Sequence, residues 1–121
     1  MTIGWADKTD ESLARAYSSA AAGHYEATKK GDDKAAIREY ELLAGAYREL
    51  RHRGPQALDV LVPLFTDANQ GVRMWAAAHG LMFAPEAAER VLSELAAGRG
   101  IVALNAQMTL KEWRRGRLRF P

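Results

Sequence analysis

The 121-residue sequence contains no cysteine, which excludes disulfide bonds, thiolate metal sites and cysteine nucleophiles and suits a reducing cytoplasm. No apolar stretch approaches the roughly 20 residues of a membrane-spanning helix, and the first residues, MTIGWADKTDES, lack the pattern of a secretory signal. Isoleucine and threonine are scarce, whereas alanine, leucine, arginine and glutamate are abundant, so the composition favours helices. With 48% hydrophobic residues, we expect a single cytoplasmic domain over residues 1–121.

The net charge of +2 is small, but its distribution along the chain is uneven. Residues 1–50 hold 7 basic and 9 acidic side chains and residues 51–121 hold 10 and 6, so the halves carry −2 and +4. The positive excess lies mainly at Lys111, Arg114, Arg115, Arg117 and Arg119. One interpretation is a solvated helix end, where cations offset the negative pole of the helix dipole. The alternative is a nucleic-acid surface, in which Trp113 and Phe120 would stack on bases.

Capping residues and hydrophobic periodicity divide the chain into about six helices. Thr9 or Asp10 is placed to cap the first helix, Gly31 to end it, and Asp32 or Asp33 to cap the second. The predicted helices cover about residues 10–30, 33–52, 55–65, 70–83, 85–97 and 101–115. An N-terminal arm at residues 1–8 and a loose basic tail at residues 116–121 complete the predicted organisation.

Residues 58–81, LDVLVPLFTDANQGVRMWAAAHGL, combine the end of one helix, a short polar turn and the start of another. Asn69 is placed to accept from a free N–H group in the first turn of the second helix. The turn and the apolar period resemble a HEAT repeat through Leu61, Pro63, Leu64, Asp67, Asn69, Val72, Arg73, Ala76 and Ala77. The segment ALNAQMTLKEWRRG is also similar to a small uncharacterised family of bacterial proteins with a HEAT-like shape. These resemblances imply an all-α, right-handed stack of three helical hairpins, an α-α superhelix, and bring no activity with them.

An internal period supports this architecture. A shift of 30 residues aligns two sets of small or apolar positions, Leu42 with Val72 and Val102, and Ala46 with Ala76 and Ala106. Alanine at the same place in three helices predicts three equivalent close helix crossings. Each hairpin would bury its apolar stripe only against its neighbour, as repeat proteins do.

The HEAT resemblance also implies a structural role for Arg73. In that family the arginine after the valine commonly pairs with an acidic residue of the turn, and Asp67 is the acid in that position. We therefore expect Asp67, Asn69 and Arg73 to hold one repeat in register with the next rather than to bind a ligand.

The same alignment predicts a surface for a partner. Trp75 and His79 share the phase of Gly45 and Glu49, so they are expected to face outward from the second, fourth and sixth helices, the inner row. An exposed tryptophan among mixed charges is typical of an interface anchor. The predicted partner-binding residues are Glu41, Arg48, Trp75, His79, Asn105 and Glu112. The alternative is that Trp75 packs beneath the N-terminal arm or a neighbouring helix.

No constellation in the sequence predicts catalysis. The histidines His24, His52 and His79 are far apart, none has a metal-ligand neighbour at helical spacing, and no GxSxG, GxGxxG or P-loop motif is present. We therefore expect no enzyme activity and no cofactor. The leading hypothesis is a protein–protein interaction module, such as an adaptor or an antidote to a toxin. Nucleic-acid binding through the basic C-terminal helix end is the alternative, and self-association through the last hairpin stays open.

Overall fold

The computed structural model describes residues 4–120, and all regular secondary structure within them is helical. The six α-helices are α1 (Asp10–Lys30), α2 (Asp33–Arg53), α3 (Pro55–Leu58), α4 (Gln70–Gly80), α5 (Pro85–Ala96) and α6 (Ile101–Arg114). Two 3-10 segments, Trp5–Asp7 and Asp59–Thr66, accompany them. The prediction of an all-α fold with about six helices is confirmed. The chain forms two compact units that divide between Val60 and Leu61.

None of the helices in this part of the chain has both the length and the apolar character that crossing a membrane requires.

The first unit is built on the hairpin of α1 and α2, whose helix ends are fixed by caps. The Thr9 hydroxyl accepts from the Ser12 N–H at 3.0 Å, and the Asp32 carboxylate accepts from the Ala35 N–H at 3.1 Å. Gly31 adopts a left-handed conformation with φ of 71° and ends α1. These caps agree with the sequence prediction, because short polar side chains and glycine are what helix ends require.

The core of this hairpin consists of large and small side chains in alternation. Fully or almost fully buried residues are Leu13, Tyr17, Ala20 and Ala21 from α1 and Leu43, Ala46, Tyr47 and Leu50 from α2. Alanine lets the two helix backbones approach, while leucine and tyrosine fill the remaining volume. The predicted apolar stripes of both helices are therefore the surfaces along which they pack.

Of the arm predicted at residues 1–8, residues 1–3 lie outside the described residues, and the segment around Trp5 is fixed to α2. The Trp5 indole lies so close to buried Gly45 that a Cβ atom there would be 2.9 Å from the indole nitrogen. Arg53 donates to the Trp5 carbonyl at 3.2 Å, to Asp10 at 2.7 Å and to Glu49 at 2.9 Å. One guanidinium thus ties the N-terminal turn, the start of α1 and the end of α2 together.

The segment predicted as one helix over residues 55–65 is α-helical only to Leu58 and continues as a 3-10 helix through Asp59–Thr66. Pro63 explains the difference. It has no N–H to donate, and in an α-helix its ring would collide with the carbonyl of Asp59, four residues earlier. The tighter 3-10 winding accommodates the proline without ending the helical path.

The second unit packs α4, α5 and α6 together, and Phe65 at the end of the 3-10 segment packs against α4. Asn69 caps α4 by accepting from the Val72 N–H at 3.1 Å, as predicted. Ala76 and Ala106, like Ala46 in the first unit, are fully buried. The matched alanines predicted from the 30-residue period are therefore all core positions.

Arg73 does not pair with Asp67, so that detail of the sequence prediction is wrong. The Asp67 carboxylate instead accepts from the Asn69 N–H at 2.8 Å, within its own turn. Arg73 donates to the Phe65 carbonyl at 3.0 Å and to Glu94 of α5 at 3.2 Å. Because Asp67 is occupied locally, the guanidinium spans from the 3-10 segment to α5. We still assign Arg73 a structural role, but its partners are the Phe65 carbonyl and Glu94 instead of Asp67.

Gly80 lies beneath the ring of Phe65. A Cβ atom at this position would collide with Cζ of the Phe65 ring, and it would be 2.8 Å from Cε1 of that ring and 3.2 Å from the Ala88 Cβ atom. Both neighbours are buried. The absence of a side chain at Gly80 therefore creates the space that the phenylalanine ring fills.

We predict that Gly80→Ala destabilises the protein, although alanine is intrinsically the better helix former by roughly 1 kcal/mol. The added methyl group must displace a packed ring, an effect that typically costs about 1–3 kcal/mol. Gly23→Ala is the matched control, because its new Cβ atom would meet the flexible carboxylate end of Glu39. Chemical denaturation compares the two variants. Equal or greater stability of Gly80→Ala would contradict the packing argument.

For Arg73→Ala we expect a loss of about 1–2 kcal/mol of unfolding free energy, because the Phe65 carbonyl loses its donor. Glu94→Ala should cost less than about 0.5 kcal/mol, because the Glu94 side chain is 61% exposed and water screens the ion pair. Urea midpoints of both variants and of the double variant measure the difference. A larger loss for Glu94→Ala than for Arg73→Ala would reverse this assignment.

Candidate interaction surface

The six residues predicted to bind a partner lie on α2, α4 and α6. Their exposure to solvent differs between the first and the second unit. In the first unit, Glu41 and Arg48 are exposed on α2, seven residues apart and so on one side of the helix. Gly45 between them is buried beneath Trp5. The indole therefore occupies the middle of the α2 surface that the sequence assigned to a partner.

In the second unit, His79 does not face solvent, so the expectation of an outward-facing histidine is wrong. Only 2% of His79 is exposed. The Phe120 ring lies against it at a centroid distance of 4.5 Å, and the Trp75 ring stacks on it at 5.8 Å with planes 29° apart. Trp75 itself is partly buried, which lies between the two predicted alternatives, an exposed interface anchor and a residue packed beneath its neighbours. The three rings form an aromatic cluster rather than an open anchor.

The turn after α6 explains why Phe120 reaches His79. Gly116 takes a left-handed conformation with φ of 70°, its N–H donates to the Trp113 carbonyl, and the Arg117 N–H donates to the Glu112 carbonyl, both at 2.9 Å. This pair of bonds is a Schellman motif, which reverses the direction of the chain. An ion pair between Arg117 and Glu112 at 3.0 Å braces it. Of the segment predicted as a loose tail, residues 116–120 thus turn back so that Phe120 packs against α4, and Pro121 lies outside the described residues.

The basic C-terminal cluster is partly neutralised. Arg114 pairs with Glu89 of α5 at 3.1 Å, and Arg117 pairs with Glu112. Arg119 donates to the carbonyl of its own neighbour, Leu118. Within residues 4–120, Lys111 and Arg115 are exposed and make no ion pair. The cations available to an external ligand are therefore fewer than the sequence suggests.

The outer side of α6 carries an apolar stripe that sequence reasoning did not single out. Ile101, Leu104 and Met108 are 43%, 53% and 57% exposed. Their spacing of three and four residues places them on one side of the helix. Large apolar side chains with this exposure, grouped on one helix, are what interaction surfaces contain. We call these three residues the α6 stripe.

Hydrogen bonds to α5 hold α6 so that this stripe faces outward. Gln107 donates to the Ala96 carbonyl at the end of α5 at 2.9 Å, and Arg114 donates to Glu89 of α5. At the C-terminal end of α6, Glu112 accepts from Arg117 of the following turn. Asn105 is exposed beside the stripe. The orientation of α6 is thus fixed by its neighbours.

A signal for this surface exists in the sequence. Val102, Ala106 and Leu110 recur every four residues and are buried, so they account for the inner side of α6. Ile101, Leu104 and Met108 cannot share that side, because successive helix positions are rotated by about 100°. When a helix has apolar residues on two sides and packs against its neighbours through one of them, the second apolar side stays exposed to solvent.

The described residues contain no group of three or more histidine, aspartate or glutamate side chains placed to share a metal ion.

We predict that Phe120→Ala destabilises the second unit and exposes the aromatic cluster. Loss of a partly buried ring from His79 should lower the unfolding free energy by about 1–2 kcal/mol and shift tryptophan fluorescence to longer wavelength as water reaches Trp75. Arg119→Ala, one residue away and exposed, is the control and should change neither quantity. Identical melting curves and spectra for the two variants would show that the aromatic contact contributes nothing.

Comparison with known proteins supports the fold. No protein-family model matches the sequence, and the search of curated proteins gives no significant match. Among solved structures, the chain is similar to the crystal structure of the protein RPA1889 from Rhodopseudomonas palustris CGA009, with a TM-score of 0.91 and 22% sequence identity over 98% of both chains. The chain is therefore an all-helical protein that shares its fold with a bacterial protein of known structure.

Proposed function

We propose that this chain is a non-enzymatic protein–protein interaction module of the HEAT-like class, acting in the cytoplasm without a cofactor. The HEAT-like assignment is supported by the Asn69-capped turn and by the fully buried alanines at matched positions in α2, α4 and α6. Proteins of this class act by presenting helix surfaces to partners.

The observation that carries the proposal is the α6 stripe. Burial of three exposed side chains of this size by a partner would remove apolar area from water, the main source of favourable free energy in association. Exposed Asn105 lies at the border of the stripe and can form hydrogen bonds at the rim of an interface.

Of the six inner-row residues predicted to contact a partner, some stay candidates and others do not. Trp75 offers part of its ring, and Glu41 and Arg48 remain exposed on α2, so these three stay candidate contacts. His79 is buried and Glu112 forms an ion pair with Arg117, so we assign both residues a structural role rather than contact with a partner. An adaptor or a toxin antidote is compatible with such a surface.

Nucleic-acid binding is the weaker candidate. The hypothesis that the C-terminal cluster binds nucleic acid rests on five basic residues, Lys111, Arg114, Arg115, Arg117 and Arg119. Arg114 and Arg117 are already paired with carboxylates. Phosphate binding would have to compete with these ion pairs. Phe120, one of two aromatic residues proposed to stack on bases, packs instead on His79.

The test is affinity capture from the native host with the wild-type protein and two matched variants, followed by mass spectrometry. Leu104→Ser with Met108→Ser should lose the specific partner, because the apolar centre of the contact is replaced. Ile37→Ser is the control, since Ile37 is 59% exposed but lies on α2. Trp75→Ala, and charge reversal at Glu41 and Arg48, measure how far the inner row contributes.

Circular dichroism first establishes that each variant is folded. Recovery of the same partners by folded wild type and by the folded stripe variant would place the binding surface elsewhere. Recovery of DNA or RNA that is lost on raising the salt from about 50 mM would instead favour the nucleic-acid alternative, because phosphate contacts weaken steeply with salt.

A further inference from the structure

The surface around the α6 stripe has a strongly one-sided charge. Lys111 and Arg115 follow Met108 by three and seven residues, so they continue the same side of the helix toward its C-terminal end. Both are exposed and make no ion pair within residues 4–120. Arg99, just before α6, is also exposed and has no ion pair with any of the described residues. Cations therefore border the apolar stripe at both ends.

The one carboxylate of this helix is already paired. Glu112, four residues after Met108 and so beside the stripe, is the single acidic residue of α6, and its carboxylate is 3.0 Å from the guanidinium of Arg117. Glu89, which lies on α5, pairs with Arg114. Both of these acids thus have a cationic partner, and Lys111, Arg115 and Arg99 add positive potential near the stripe.

The dimensions of the stripe suit another helix. Ile101 and Met108 are seven residues apart, which corresponds to about 10 Å along a helix axis, or two turns. A partner helix with apolar residues at i, i+3 and i+7 presents a ridge of the same length. Two such ridges pack side by side, as they do between neighbouring helices of one protein.

A second copy of this chain fits the charges poorly. Antiparallel pairing of two α6 helices about the stripe would bring Lys111 of each copy next to Arg99 of the other. Parallel pairing would place each cation beside its own equivalent. Either arrangement brings like charges together in a partly desolvated contact, which is unfavourable.

We infer that the α6 stripe binds an amphipathic helix of another protein whose apolar ridge is bordered by glutamate or aspartate. The inference rests on the proposed function and names the chemistry of the partner. The apolar ridge covers Ile101, Leu104 and Met108, while the carboxylates pair with Lys111, Arg115 and Arg99. Apolar burial supplies most of the affinity, and the charges select the partner.

Two synthetic helical peptides test the inference. Both carry leucine at i, i+3 and i+7, and they differ only in having glutamate or lysine beside that ridge. Binding of the labelled peptides is followed by fluorescence anisotropy at about 50 mM salt, where exposed charges are weakly screened. We expect the glutamate peptide to bind wild-type protein at least tenfold more tightly than the lysine peptide.

Variants separate the contributions. Lys111→Glu with Arg115→Glu should reverse the preference between the two peptides, and Leu104→Ser with Met108→Ser should weaken binding of both. Ile37→Ser should bind as the wild type does. Sedimentation equilibrium of the same proteins, without peptide, measures self-association.

Each contrary result has a distinct meaning. Equal binding of the two peptides to wild type would overturn the inference about acidic partners and leave the α6 stripe as an interaction surface. A dimer that is abolished by the stripe variant would show that the occupant is a second copy. If neither peptide binds and the protein is monomeric, the inference is wrong, whereas the capture experiment decides the proposed function separately.

Discussion

Close packing of helix backbones through small side chains is the constraint on which the remaining structure depends. Ala46, Ala76 and Ala106 are fully buried at equivalent places in α2, α4 and α6. Where a helix side has no bulk, an aromatic ring from elsewhere in the same unit fills the space, as Trp5 does at Gly45 and Phe65 at Gly80. A larger residue at any of these positions would force a packed neighbour to move, because protein interiors have few voids to absorb it.

Polar side chains are used mainly to fix the ends of elements. Arg53 joins three segments of the first unit, and Arg73 links the 3-10 segment to α5 in the second. Both guanidiniums are partly shielded and make hydrogen bonds to a backbone carbonyl as well as to a carboxylate. An arginine can do this because its planar group carries several donors in fixed directions. These contacts stabilise the framework and leave no reason to assign either residue to a ligand.

The proposed function follows from what the packing leaves uncovered. Hydrogen bonds from Gln107 and Arg114 hold α6 against α5, so the buried side of the helix and the side bearing Ile101, Leu104 and Met108 are both determined. The C-terminal segment also covers His79, which removes that residue from the predicted binding surface. The C-terminal turn thus has two effects: it brings Phe120 over His79, and it brings Arg117 to Glu112. Lys111 and Arg115 stay exposed and can interact with a partner.

The sequence by itself determined the all-α class, most helix boundaries and the caps at Thr9, Asp32 and Asn69, because these depend on local propensity and on side chains a few residues from the backbone they bond. It also determined the burial of the matched alanines, through their period. Only the tertiary structure decided that Arg73 contacts Glu94 rather than Asp67, that Phe120 buries His79, and which of the two apolar sides of α6 stays exposed. Those outcomes depend on which distant segments meet, and no spacing along one chain segment encodes them.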